Sequence, residues 1–184
     1  MDGRVLPVEE IQAIFERFAE GNPYYIPLLL SYWCGFKVDE AFALTEECVL
    51  SGTVFSKWSV KYNRNDNGLY FTTINEEKCA QVPVCVENAI RRTINRNLCA
   101  APTNYRPVYY IDKKGCLNVK SGIPISIVNL RSDGSFVSPL GINHVARVIH
   151  GKKGNFRYPD SEWKFEDMIE SGKYYERSRK NALL

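Results

Sequence analysis

Apolar residues recur at helical spacing early in the chain and give way to β-rich runs in its middle. Ile11, Ile14, Phe15 and Phe18 fall on one face of a helix. Leu6-Pro7-Val8-Glu9-Glu10 predicts its opening, because proline is tolerated in a first turn and glutamates suit the positive N-terminal end. Gly21-Asn22-Pro23 predicts its stop. Tyr25 to Trp33 is apolar nearly all round, so a second helix there should be the buried one, ended by Gly35. A short third helix, Val38 to Leu44, is amphipathic through Ala41, Phe42 and Leu44.

The period then changes. Val54 to Val60, Leu69 to Thr73 and Gln81 to Val86 predict three strands, with Asn63 to Gly68 as a polar turn holding an Asn-Gly step. Together they predict a three-stranded antiparallel meander, followed by a helix over Asn88 to Asn97. Cys99 to Ile127 is rich in turn residues and predicts no definite element. Val128 to Leu130 reads as a short strand, Ser132 to Ser135 as a turn, and Pro139 to Ile149 as a helix capped by Ser138. Gly151 to Gly154 is a basic loop. Trp163 to Glu170 predicts a last helix ended by Gly172, with Lys173 to Leu184 loose. The fold class is mainly α with a small three-stranded antiparallel sheet (α+β).

Composition narrows the function. At 184 residues the chain is long enough for one domain with its own core. A net charge of +3 is compatible with a phosphate-facing surface without requiring one. None of the six cysteines forms a C-x-x-C pair, and the two histidines, His144 and His150, are not at zinc-ligand spacing. The expectation is therefore no metal, no cofactor and reduced thiols in a cytoplasmic protein. The N-terminus does not read as a signal peptide, and Tyr24 to Phe36, broken by Pro27, Ser31 and Gly35, is shorter than the ~20 residues of a membrane span.

Several local strings carry a resemblance. Gly35-Phe36-Lys37-Val38-Asp39-Glu40-Ala41-Phe42-Ala43-Leu44 is similar to the pattern Gly-Leu-Arg-x-x-Glu-x-x-x-Leu, the first signature box of tyrosine recombinases. Leu6 to Ile11 resembles the usual opening of that family's catalytic domain. Asp133 to Pro139 and His144 to His150 resemble the approach to its second box in transposon-type integrases, and Met168 to Gly172 the helix end just after it. The resemblance implies a tyrosine-recombinase catalytic domain spanning residues 1–184, without the N-terminal DNA-binding domains and without the segment carrying the tyrosine nucleophile. The implied chemistry is phosphoryl transfer, with a tyrosine attacking a DNA phosphodiester while two arginines, a hairpin lysine and histidines stabilise the charge that builds.

The sequence departs from that pattern at most of the chemical positions. Lys37 stands at the first arginine; it keeps the charge and loses the planar fork that grips two phosphate oxygens. The hairpin lysine should fall near Ile74 or Asn75, and Lys78 is the nearest substitute. No arginine falls in the second box, where Pro159, Ser161, Glu162 and Trp163 stand; Glu162 would put a negative charge at the phosphate. Tyr174 and Tyr175 lie too close to that box to serve as nucleophile. Losing one preorganised oxyanion donor typically costs about 3–4 kcal/mol of transition-state stabilisation. Glu40 matches the supporting glutamate and is expected to pair with Lys37.

The expected function is an integrase-like protein of a mobile element, a pseudoenzyme that binds DNA weakly and with strong salt dependence. Lys37, Lys78, Arg147, His150, Lys152 and Lys153 are the candidate DNA contacts; His144-x-x-Arg147 is read as an ordinary helix face. A second reading is a non-catalytic module that associates with a full-length integrase, and a third is a fragment of an active enzyme.

Overall fold

The computed structural model describes residues 3–63, 68–100, 108–111, 117–120, 125–132, 134, 136–139, 142 and 163–182. Helix α1 (Val8–Arg17) starts after Pro7 and turns Ile11 and Ile14 inward. Helix α2 (Tyr25–Cys34) buries Ile26 and Leu28 to Ser31, and Gly35 ends it in the left-handed conformation, φ 66° and ψ 23°. A non-glycine residue there would be strained. Helix α3 spans only Val38–Ala41, one turn instead of the predicted run to Leu44. Residues 44–46 leave the helix to pair with another segment: Leu44 O accepts from Val128 N–H at 3.0 Å, and Glu46 N–H donates to Ser126 O at 2.9 Å. A 3₁₀ turn, Glu46–Cys48, follows.

The sheet holds β1 (Val49–Leu50), β2 (Thr53–Asn63) and β3 (Gly68–Gln81), antiparallel in that order. The meander is thus present, with a different third member. Gln81 to Val86 does not form a strand, because Pro83 accepts the first bonds of helix α4 (Val84–Ala100) from Val86 and Glu87. The two-residue β1 takes the outer place instead, turning at Gly52 (φ 72°). Strands β4 (Val108–Ile111) and β5 (Leu117–Lys120) pair antiparallel inside the stretch where no element was predicted.

The final helix, α5 (Phe165–Ala182), runs through Gly172 and through the predicted loose end. Gly172 is there because α5 packs closely on α2: a Cβ at this position would overlap the carbonyl oxygen of Tyr32. The glycine is a packing residue inside a helix, not a stop signal.

The core joins the helices α1 to α5 with the β1–β3 sheet. Phe36, Phe42, Leu6, Leu28, Leu30, Ile90 and Met168 are fully buried, each worth about 1.5–3 kcal/mol of transfer free energy. Edge-to-face aromatic contacts tie α1 and α2 together, with Phe15 6.2 Å from Tyr25 and from Tyr32. The N-terminal segment is fastened to α5: Leu6 N–H donates to Ser171 Oγ at 2.8 Å, and Arg4 N–H to Asp167 Oδ1 at 2.9 Å. Asp167 also accepts from Lys164 N–H at 2.7 Å, capping the start of α5. No helix among the described residues is long and apolar enough to cross a membrane.

The described cysteines Cys34, Cys48, Cys79, Cys85 and Cys99 are free thiols, and burial pushes the Cys34 thiol up to about 12. No cluster of metal-ligating side chains occurs among the described residues.

Candidate functional site

The first-box residues sit at the junction of α2, α3 and the β2–β3 hairpin. Lys37 is the exposed residue at the N-cap of α3. Its backbone N–H donates to Glu40 Oε2 at 2.9 Å, so Glu40 reaches back to satisfy one of the unpaired donors of a helix start. The expected side-chain pair between Glu40 and Lys37 is not what forms. The ammonium on Glu40 belongs to Lys78, whose Nζ lies 2.7 Å from Oε2 and 2.9 Å from Oε1. The Glu40 side chain is 8% exposed and that of Lys78 40% exposed. A carboxylate so buried needs a cation and donors to offset its lost hydration, and it has both.

The hairpin's register explains why Lys78 fills this place. Ser56 lies opposite Lys78 and Trp58 opposite Thr73, so Lys57 alone faces the four residues Ile74 to Glu77. Ile74 and Asn75, where the family resemblance puts the lysine, fall within this irregularity. Pairing resumes at Lys78, whose N–H donates to Ser56 Oγ at 3.2 Å, and from there its side chain reaches α3.

The neighbouring carboxylate repeats the arrangement. Asp39 accepts from Ser59 Oγ at 2.7 Å and is ion-paired with Lys61 Nζ. Ser59 and Lys61 are two apart on β2 and therefore share a face. Burial raises the Asp39 carboxyl, while hydrogen bonds from Lys61 and Ser59 outweigh it and leave the group below its ordinary value. A depressed folded value adds stability above the unfolded aspartate range, and this is lost as pH falls through the folded value. Urea midpoints measured from about pH 5 down to about pH 2.5 should therefore fall less steeply in Asp39→Asn than in the parent. Identical slopes would show that Asp39 carries no such linkage.

Two successive residues of a one-turn helix thus each hold one hairpin lysine, on adjacent strands. Asp39, Ser59 and Lys61 were not among the residues singled out from the sequence. Their partners lie 20 and 22 positions apart, and only the alternation of Ser59 and Lys61 hinted at a shared face.

Of the remaining candidates, Arg147, His150, Lys152, Lys153 and Glu162 lie outside the described residues, as does His144. Trp163 is buried with its ring 6.3 Å from Phe18 of the α1 end. Tyr174 is half exposed on α5. Tyr175 donates from its hydroxyl to Leu6 O at 3.4 Å, its ring 6.5 Å from Tyr32, and burial raises its phenol. It belongs to the fastening of the N-terminal segment, and neither tyrosine lies in the α3–hairpin cluster.

No family model matches the chain, and no curated protein matches its sequence. Solved structures do match. An arginine-to-lysine variant of the Tn1549 transposon integrase, in complex with a circular intermediate DNA, superposes with a TM-score of 0.67 at 12% identity, over 97% of this chain and 54% of that one. A tyrosine-to-phenylalanine variant of the same integrase in complex with transposon right end DNA gives 0.64 at 13% identity, over 97% and 54%. The integrase without either change, on circular intermediate DNA, gives 0.66 at 12% over 95% and 54%. The chain therefore spans about half the length of the solved integrase chains it matches, and across nearly all of its own length it has an integrase catalytic-domain-like fold.

Proposed function

We propose that this chain is an integrase-like protein of a mobile element that binds duplex DNA through phosphate contacts and does not cut it. The observation that carries the reading is the fold itself: the solved structures it matches over 97% of its length are of an integrase held on DNA. Non-cleavage rests on the side chains. Lys37 offers a point charge where the resemblance calls for a two-pronged guanidinium. Lys78, the hairpin lysine nearest the expected position, is engaged by Glu40. No arginine stands among Pro159, Ser161, Glu162 and Trp163. Electrostatic stabilisation of a phosphoryl transition state needs fixed cations at the non-bridging oxygens, and this set supplies too few.

The test is a mobility-shift titration of a duplex against salt, run beside a nicked-substrate cleavage assay. Binding is expected in the range of roughly 10⁻⁴ to 10⁻⁶ M, weakening linearly in log–log form as salt rises. No nicked or covalently joined DNA should appear. Binding that ignores salt would remove the phosphate-contact reading. Strand cleavage that disappears in Lys37→Ala would remove the claim of inactivity.

A further inference from the structure

We infer that Asp39 and Glu40 act as internal stand-ins for DNA phosphates, holding the hairpin lysines Lys61 and Lys78 until a phosphodiester competes for them. The inference rests on the DNA-binding reading above and assigns the regulation of that surface.

Three features of the geometry support it. The first is sign and crowding: the ammonium groups of Lys61 and Lys78 face the adjacent carboxylates of one helical turn, with the exposed Lys37 beside them. Three cations stand against two anions, so the cluster has little net charge to offer a phosphate despite its lysines. The second is access. The Lys61 and Lys78 side chains are 57% and 40% exposed, while Asp39 and Glu40 are 22% and 8% exposed. The lysines are the solvent-side partners of both pairs and can swing to an external anion, as a flexible four-carbon stem allows. The third is that each carboxylate keeps a second donor when its lysine leaves. Asp39 retains Ser59 Oγ at 2.7 Å, and Glu40 retains Lys37 N–H at 2.9 Å. Neither anion is left bare, which makes an exchange of partners feasible.

A carboxylate and a phosphodiester are both monoanions that accept from an ammonium group, so DNA must displace one to gain the other. The cluster therefore lowers affinity and flattens its salt dependence. Removing a carboxylate's charge should do the opposite. Each lysine freed for a phosphate steepens the log–log salt slope by about 0.9.

The experiment measures anisotropy of a labelled DNA duplex with the parent chain, Asp39→Asn and Asp39→Asn/Lys61→Met, across salt, with melting curves for each. Asp39→Asn should bind about threefold to tenfold tighter at low salt with the steeper slope, following the counterion relation, and Lys61→Met in that background should cancel the gain. If Asp39→Asn binds no tighter than a parent that does bind, the stand-in role is overturned while DNA binding stands. If the parent fails to bind and Asp39→Asn binds, the functional reading of the parent fails and the stand-in role holds. If neither binds, the lysines do not contact DNA even when released, and the inference falls. Should Asp39→Asn melt below the assay temperature, Glu40→Gln with Lys78→Met as its reversal gives the same comparison.

Discussion

Replacing Gly172 with alanine is expected to unfold the protein at ordinary assay temperatures, a loss of roughly 4 kcal/mol or more. The sign is the opposite of what helix propensity alone predicts. Inside an exposed helix, alanine is more favourable than glycine by about 1 kcal/mol. At position 172 that gain is overwhelmed, because the added methyl group would overlap the Tyr32 carbonyl, a backbone atom fixed within α2. No side chain can swing aside; one helix would have to move off the other, and the densely packed interior resists such a shift. Melting followed by circular dichroism decides it. A variant melting within a couple of degrees of the parent would show that α2 and α5 separate at little cost.

Lys78→Met is expected to destabilise by about 2 kcal/mol, with most of that recovered in the double variant Glu40→Gln/Lys78→Met. Breaking a buried ion pair by removing one partner typically costs about 3–5 kcal/mol, because the other charge stays behind uncompensated. The lower figure applies because Lys78 is 40% exposed and Glu40 keeps the Lys37 N–H. A double-mutant cycle from urea unfolding isolates the coupling. If Lys78→Met alone costs less than about 0.5 kcal/mol, the pair behaves like an ordinary surface salt bridge and cannot fix the hairpin against α3.

Where a residue's role was set by its near neighbours, the sequence was legible. The apolar face of α1, the burial of α2 from Ile26 to Ser31 and its end at Gly35 follow from spacing and from the left-handed preference of glycine, although Trp33 near its end is exposed. Where distant partners decided, it was not. Gly172 carries the same local sign as Gly35, yet the presence of Tyr32 across the interface makes it a packing residue within α5. The short β1 has no period to detect in two residues, and Leu44 to Glu46 leave α3 for partners at positions 126–128. At Gln81 to Val86 the helix-starting tendency of Pro83 outweighs the β-rich composition around it, so no third strand forms there. The candidate site shows the same division. Lys37 and Glu40 were visible as members of one box, whereas the partnership of Glu40 with Lys78 depends on the hairpin's irregular register.

The bonds joining the beginning of the chain to its last helix constrain how it is made. Leu6 and Ser171 are 165 residues apart, and Arg4 and Asp167 are 163 apart. A nascent chain leaving the ribosome cannot form either bond until synthesis has passed the α5 residues Asp167 and Ser171. Closing so long a loop is slow, and its entropy must be met before the contact rewards it. Until then Leu6, fully buried in the folded domain, lacks the cover that α5 provides. In that interval apolar surface meant for the core stays open to water, the condition under which aggregation competes with folding.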